Sequence, residues 1–104
     1  MGKPCQIRCI AERGAFDEEF VVRFPIVHSN GDIGEAKCLA YGESVDLKGD
    51  LKEADEVDAM LLAYRVDQQG DFVAVILPQP TFENGPSVVV RRSDLSKTVV
   101  GEGK

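Results

Sequence analysis

Two matched apolar runs, residues 59–66 and 71–78, flank the polar stretch Asp67-Gln68-Gln69-Gly70 and constrain this chain more than any other feature. Equal runs around a polar turn ending in glycine read as a β-hairpin, because Gly70 enters the left-handed region at little cost. A type I turn over these four residues sets a register. It predicts Asp67 opposite Asp71, Val66 opposite Phe72, Tyr64 opposite Ala74 and Leu62 opposite Ile76.

Side chains alternate along a strand, so the hairpin has two faces, and both are apolar away from the turn. Met60, Leu62, Tyr64, Phe72 and Ile76 have the bulk expected of the domain's own core. Leu61, Ala63, Val73, Val75 and Leu77 are then left over. An uncovered patch of that kind exceeds what soluble monomers usually expose. These five are the expected interface with a second copy of the chain or with a protein partner, and Val75→Glu is expected to give a soluble monomer.

The flanking segments agree with an all-β chain. Cys5, Ile7, Cys9 and Ala11 alternate with polar residues, as do Phe20, Val22, Phe24 and Ile26, and each set predicts a half-buried strand over residues 5–12 and 18–27. Pro25 cannot donate to a ladder and predicts an edge or a strand end. Residues 34–41 form a third strand with a small side of Ala36, Cys38 and Ala40, which implies close approach of another layer. Residues 87–92 and 97–100 add further strands, separated by a tight turn at Ser93-Asp94-Leu95, and residues 101–104 are expected to fray.

Residues 46–58 admit two readings. Asp50-Leu51-Lys52-Glu53 has the capping pattern of a helix start, with an acid three positions after the cap, so a short acidic helix near 50–58 is expected. A helix running on to Tyr64 competes with the hairpin. The expected architecture is one domain over residues 1–104: five or six strands in a small antiparallel barrel or sandwich, SH3-like as the best architectural match, with at most that one short helix. Such an analogy carries no function.

Charge narrows the function classes. The formal net charge is −6, and residues 43–71 hold nine acids against three bases, which accounts for the whole excess. An acidic face discourages approach to a polyanion, so nucleic-acid binding loses weight. Apolar residues make up 43% and charged residues 29%, ordinary for a globular protein. No apolar run reaches the ~20 residues of a membrane helix, and Met1-Gly2-Lys3-Pro4-Cys5-Gln6 offers no apolar signal core, so a cytoplasmic protein is expected.

The candidate chemistry is weak throughout. Cys5, Cys9, Cys38 and His28 invite a zinc site, but residues four apart on a strand stand ~13 Å apart, too far to share one ion. The cysteines fall on the apolar side of their strands and read as small buried hydrophobes. His28 sits in the turn cluster His28-Ser29-Asn30-Gly31-Asp32, which predicts an exposed loop histidine. The string G-x-S-x-G of a nucleophile elbow and the glycine patterns of nucleotide sites do not occur. Asp67 and Asp71, if opposed across the turn, form the most specific acid pair. Arg91 and Arg92 point to opposite faces of a strand, which leaves one free to meet the acidic segment.

No residue is assigned a catalytic, cofactor-binding or metal-binding role. The expected function is a soluble, non-enzymatic interaction module that binds a protein or pairs with itself as a homodimer. A nucleic-acid-associated small barrel and an enzyme with an unrecognised site are the rival classes.

Overall fold

The computed structural model of the protein describes residues 2–96. The strands follow in order as β1 (Lys3–Arg13), β2 (Glu19–Val27), β3 (Ile33–Tyr41), β4 (Val45–Leu47), β5 (Glu56–Gln69), β6 (Phe72–Thr81), β7 (Gly85–Arg91) and β8 (Leu95–Ser96). A single 3-10 turn, Arg92–Asp94, precedes β8, where the tight turn was expected. The architecture is all-β. Strands β5, β1, β2, β3 and β6 close antiparallel into a five-stranded barrel, and β4, β7 and β8 extend it.

The long strand β5 makes closure possible. Its one edge pairs with β1 from Glu56 to Arg65, while its other edge pairs first with β4 and then with β6. The circuit closes between β3 and β6 at Cys38 and Thr81, reinforced by the Phe82 amide donating to the Lys37 carbonyl at 2.8 Å. β8, reached from β7 through the 3-10 turn, pairs with Gln6 and Ile7 of β1. No helix among the described residues is long and apolar enough to cross a membrane.

The interior is filled by alternate residues of each strand. Phe24 stands opposite Ala36 and Val22 opposite Cys38, so the small side of β3 receives the bulk of β2. Pro25 lies past the end of the β1–β2 ladder at Arg23, on a stretch of β2 paired only with β3. A residue without an N–H fits there. Pro78 does not end β6, which runs on to Thr81; the β6–β7 register is irregular between Ile76 and Thr81, where Pro78 and Pro80 supply no donors.

Two local expectations are corrected. The helix near 50–58 does not form. Asp50 does cap one turn, its Oδ1 accepting from the Lys52 amide at 2.8 Å and its carbonyl from the Glu53 amide at 3.0 Å. One capped turn without an apolar stripe cannot propagate, and β5 begins at Glu56, opposite Glu12 of β1. The hairpin register also differs. The ladder runs on to Gln69 opposite Phe72, leaving Gly70-Asp71 as a two-residue turn with Gly70 at φ +62°. Glycine at the first central position is what a type II′ turn needs, and such turns match the twist of paired strands. A bulge at Val66 absorbs the odd residue, so Tyr64 faces Ile76 rather than Ala74, and Asp67 faces Ala74 rather than Asp71. The expected strand at 97–100 and the fraying at 101–104 lie outside the described residues.

Candidate outer-face binding site

The two faces of the hairpin are assigned the opposite way from the sequence expectation. Leu61, Ala63, Val73, Val75 and Leu77, the expected interface residues, are all buried inside the barrel. None presents a surface to a partner in the folded chain. The interior already takes Phe24 and Ile7 from β2 and β1, so β5 and β6 complete it with alanine, valine and leucine and turn their bulkier side chains outward.

The outward set leaves a contiguous row of apolar side chains exposed. Tyr64, Val66, Phe72 and Ile76 retain 38%, 46%, 47% and 42% of their accessible surface, with Leu62, Ala74 and Val89 half-buried between them. Cross-strand pairing lines them up in rows. Pro4 of β1, Tyr64 of β5 and Ile76 of β6 stand side by side, and Ala74 of β6 stands next to Val89 of β7. The bulge adds Val66 to this face, and a side chain at Gly2 would run into Val66 and the Arg65 carbonyl, so the start of β1 lies close against the bulge.

At the tip of the hairpin the face dips into an open groove of about 440 Å³. Phe72, Ala74, Val89 and Val27 give it an apolar floor, and His28, Ser29, Asp67, Gln68 and Gln69 line its polar margin. The β2–β3 turn supplies the far wall. That turn is held by the Gly31 amide donating to the His28 carbonyl and the His28 amide donating to the Asp32 carbonyl, each at 2.8 Å. Asn30 fixes it further, its Oδ1 accepting from the Asp32 amide at 3.0 Å. His28 is exposed, as its turn setting predicted, and no thiol shares its surroundings in the groove.

No match to this chain is found among protein-family models, curated proteins or solved structures. The reading of the site therefore stands on its geometry.

The other candidates are dispersed. The three thiols are buried inside the barrel. Burial raises all three, pushing Cys9 up to about 12 and Cys38 up to about 11. A thiol held protonated is a poor nucleophile and a poor ligand. Among the described residues, no three His, Cys, Asp or Glu side chains gather to hold a metal ion. Asp67 and Asp71 do not oppose each other, which dissolves the acid pair. Arg91 pairs with Asp94 at 3.0 Å rather than with the acidic segment, and the Arg92 amide donates to the Asp71 carbonyl at 2.7 Å. Phe16 and Phe82 are exposed at two other turns and stand outside this face.

Alternation divides the hairpin residues into the two sets seen in the structure, but the smaller set, not the bulkier one, faces inward. Bulk was the misleading criterion. The buried set carries no aromatic residue, whereas the outward set holds Tyr64 and Phe72, and that difference is the signal for which side turns inward. Val27, His28 and Val89 come to the groove from other strands and turns, and no local pattern announces them.

Proposed function

We propose that this protein is a non-enzymatic interaction module whose working surface is the outer face of β5, β6 and β7 together with the groove at the hairpin tip. The observation that supports this reading is the outward row of Tyr64 and Ile76 with Phe72 and Val66 beside it, apolar side chains left open on a barrel whose core is otherwise complete. Exposed apolar clusters rimmed by polar residues mark protein-binding surfaces more often than catalytic ones. The partner class is protein, a second copy of the chain included.

The test is affinity capture from the native host with the wild-type chain and with Ile76→Glu, whose fold is checked by circular dichroism. A protein retained by the wild type and lost by the variant supports the reading. Salt-sensitive retention of nucleic acid, equal for both chains and without a protein dependent on Ile76, overturns it in favour of the nucleic-acid class.

A further inference from the structure

We propose that the free edge of β3, over residues 33–37, takes up an extended segment of another protein as an added antiparallel strand. This edge lies apart from the outer face of β5, β6 and β7, so the proposal goes beyond the reading above. β3 pairs with β2 along its whole length, from Ile33 opposite Val27 to Tyr41 opposite Glu19. On its other side, among the described residues, it pairs only at Cys38 with Thr81. There β6 ends, and the chain turns away through residues 82–84.

Two observations fix where the backbone of this stretch points. The Phe82 amide donates to the Lys37 carbonyl at 2.8 Å, so Lys37 turns its polar groups toward the β6 side. Alternate residues of a strand share an edge, which sends the N–H and C=O of Glu35 and Ile33 the same way. Pro25 of β2, directly opposite Glu35, agrees. A residue without an N–H cannot stand in a hydrogen-bonded pair, so Glu35 exchanges no bonds with β2. Two donors and two acceptors therefore line the edge. Beside it, Glu35, Ala36 and Lys37 face Phe82, Glu83 and Asn84 across an open notch of about 140 Å³. An unpaired edge of this kind is a template for a further strand.

Other edges are closed in other ways. Pro25 blocks the part of β2 that extends past β1, and β4 is three residues long. β7 is unpaired on one side but runs alongside β2, with Cα atoms within 8 Å. No proline interrupts β3.

The side chains name the partner's chemistry. Ile33, Glu35 and Lys37 are exposed, while Ala36 and Cys38 are buried. Glu35 lies 4.0 Å from Arg23, whose guanidinium is committed to Glu56 at 2.7 Å, so the Glu35 carboxylate is open to a second base. An antiparallel strand then carries a base opposite Glu35 and, two residues later, an apolar side chain opposite Ile33. A second copy of β3 lacks that pattern. Centred on Glu35 it sets Glu35 against Glu35, and centred on Gly34 it sets Ile33 against Glu35. The register with Glu35 opposite Lys37 needs the Lys37 carbonyl, which the Phe82 amide already holds.

The probe is a capped pentapeptide of threonine with arginine second and valine fourth, and the readout is backbone hydrogen exchange of the full chain by NMR. In the free protein the Ile33 and Glu35 amides should exchange fast, and those of Gly34 and Ala36, which face β2, slowly. The probe should slow Ile33 and Glu35 alone. Glutamate in place of its arginine should weaken binding about tenfold. Methylating its arginine and valine amide nitrogens should abolish binding, because these are the donors the edge receives. Glu35→Pro removes an outward donor and no ladder bond, so it should fold and lose the probe. Should it fail to fold, Glu35→Lys should reverse the preference between the arginine and glutamate probes. Unchanged exchange at millimolar probe overturns the proposal. Equal binding of the methylated probe overturns it too, since side chains alone would then hold the peptide. Slow exchange of Ile33 and Glu35 in the free protein would mean the edge is already covered, and also overturns it. No outcome depends on Ile76, so the outer-face reading stands or falls separately.

Discussion

Tyr64 on β5 stands directly opposite Ile76 on β6, and both side chains point outward while their strand neighbours Ala63 and Leu77 point into the barrel. Adjacent positions of one strand therefore respond to the same substitution in opposite ways. Glutamate at position 76 reaches water, so Ile76→Glu should cost under about 1 kcal/mol. Glutamate at position 75 would bury a charge in an apolar interior, and Val75→Glu should cost more than about 4 kcal/mol, enough to unfold a small domain. Urea titration followed by far-ultraviolet circular dichroism checks both. Equal midpoints for the two variants would mean the faces are assigned wrongly.

The thiols make stability depend on alkaline pH. Burial is the main cause at all three; Cys38 and Asp58 add to the rise at Cys9, and Arg65 partly offsets it at Cys5. In the unfolded chain a thiol titrates near its ordinary value of 9.0, whereas folded Cys9 holds its proton to about 12. Between these values the folded state binds more protons, so the contribution is complete below pH 9.0 and is lost as pH rises toward about 12. The slope is about 1.4 kcal/mol per pH unit for each such thiol. Cys9→Ala should flatten the decline measured by urea denaturation between pH 8 and about 10.5. The readout is the slope, since the lost sulfur shifts the whole curve by a constant. An unchanged slope would count against a protonated Cys9. At neutral pH a thiol reagent should label the native protein slowly and the unfolded chain at once.

How far the sequence carried is clearest on β1, β2 and β3. Each buries one side against a wetter one, so period-two alternation located them within two residues of their ends. β5 and β6 are apolar on both sides, and alternation cannot say which side is inside when the outer face is left open. The Val66 bulge was illegible for a related reason: nothing in Arg65-Val66-Asp67 marks an extra residue, and only the ladders to β1 and β6 together reveal it. At Asp50 the local signal was right and its extent wrong. The capping pattern makes one turn, and pairing with β1 then draws Glu56 onward into a strand. The groove joins turns some 40 residues apart in sequence (Val27 to Gln69), and so it could be seen only after folding.

Gly70 and Gly34 resist substitution for different reasons. Gly70 has open space around it but holds φ at +62°, so Gly70→Ala should cost about 1 kcal/mol from the backbone alone. Gly34 has an ordinary φ, but a methyl there would run into the His28 imidazole. That ring is exposed and can swing aside. Gly34→Ala should therefore leave stability within about 0.5 kcal/mol while moving the His28 wall of the groove. Thermal melts of both variants, with the His28 ring resonances followed by NMR, separate the two effects. A cost at Gly34 equal to that at Gly70 would mean the imidazole is locked in place.

Arg23 ties β2 to β5 across the strand between them. Its Nη2 donates to Glu56 Oε1 at 2.7 Å, and its Nε lies 4.0 Å from Glu35 Oε2. Glu56 stands directly opposite Glu12 of β1, a like-charge pair that disfavours the ladder. The guanidinium offsets that repulsion as well as bonding Glu56. Because the carboxylate is half exposed, the pair is worth at most about 1 kcal/mol. Arg23→Ala should cost about that much at low salt, since it also leaves Glu12 and Glu56 facing each other uncompensated. Glu56→Gln in the Arg23→Ala background should then recover part of the loss, and the recovery should shrink at 1 M salt, where charges are screened beyond about 3 Å. A double-mutant cycle by urea denaturation at two salt concentrations measures it. A coupling of zero at low salt would show that Arg23 contributes through the packing of its aliphatic stem alone.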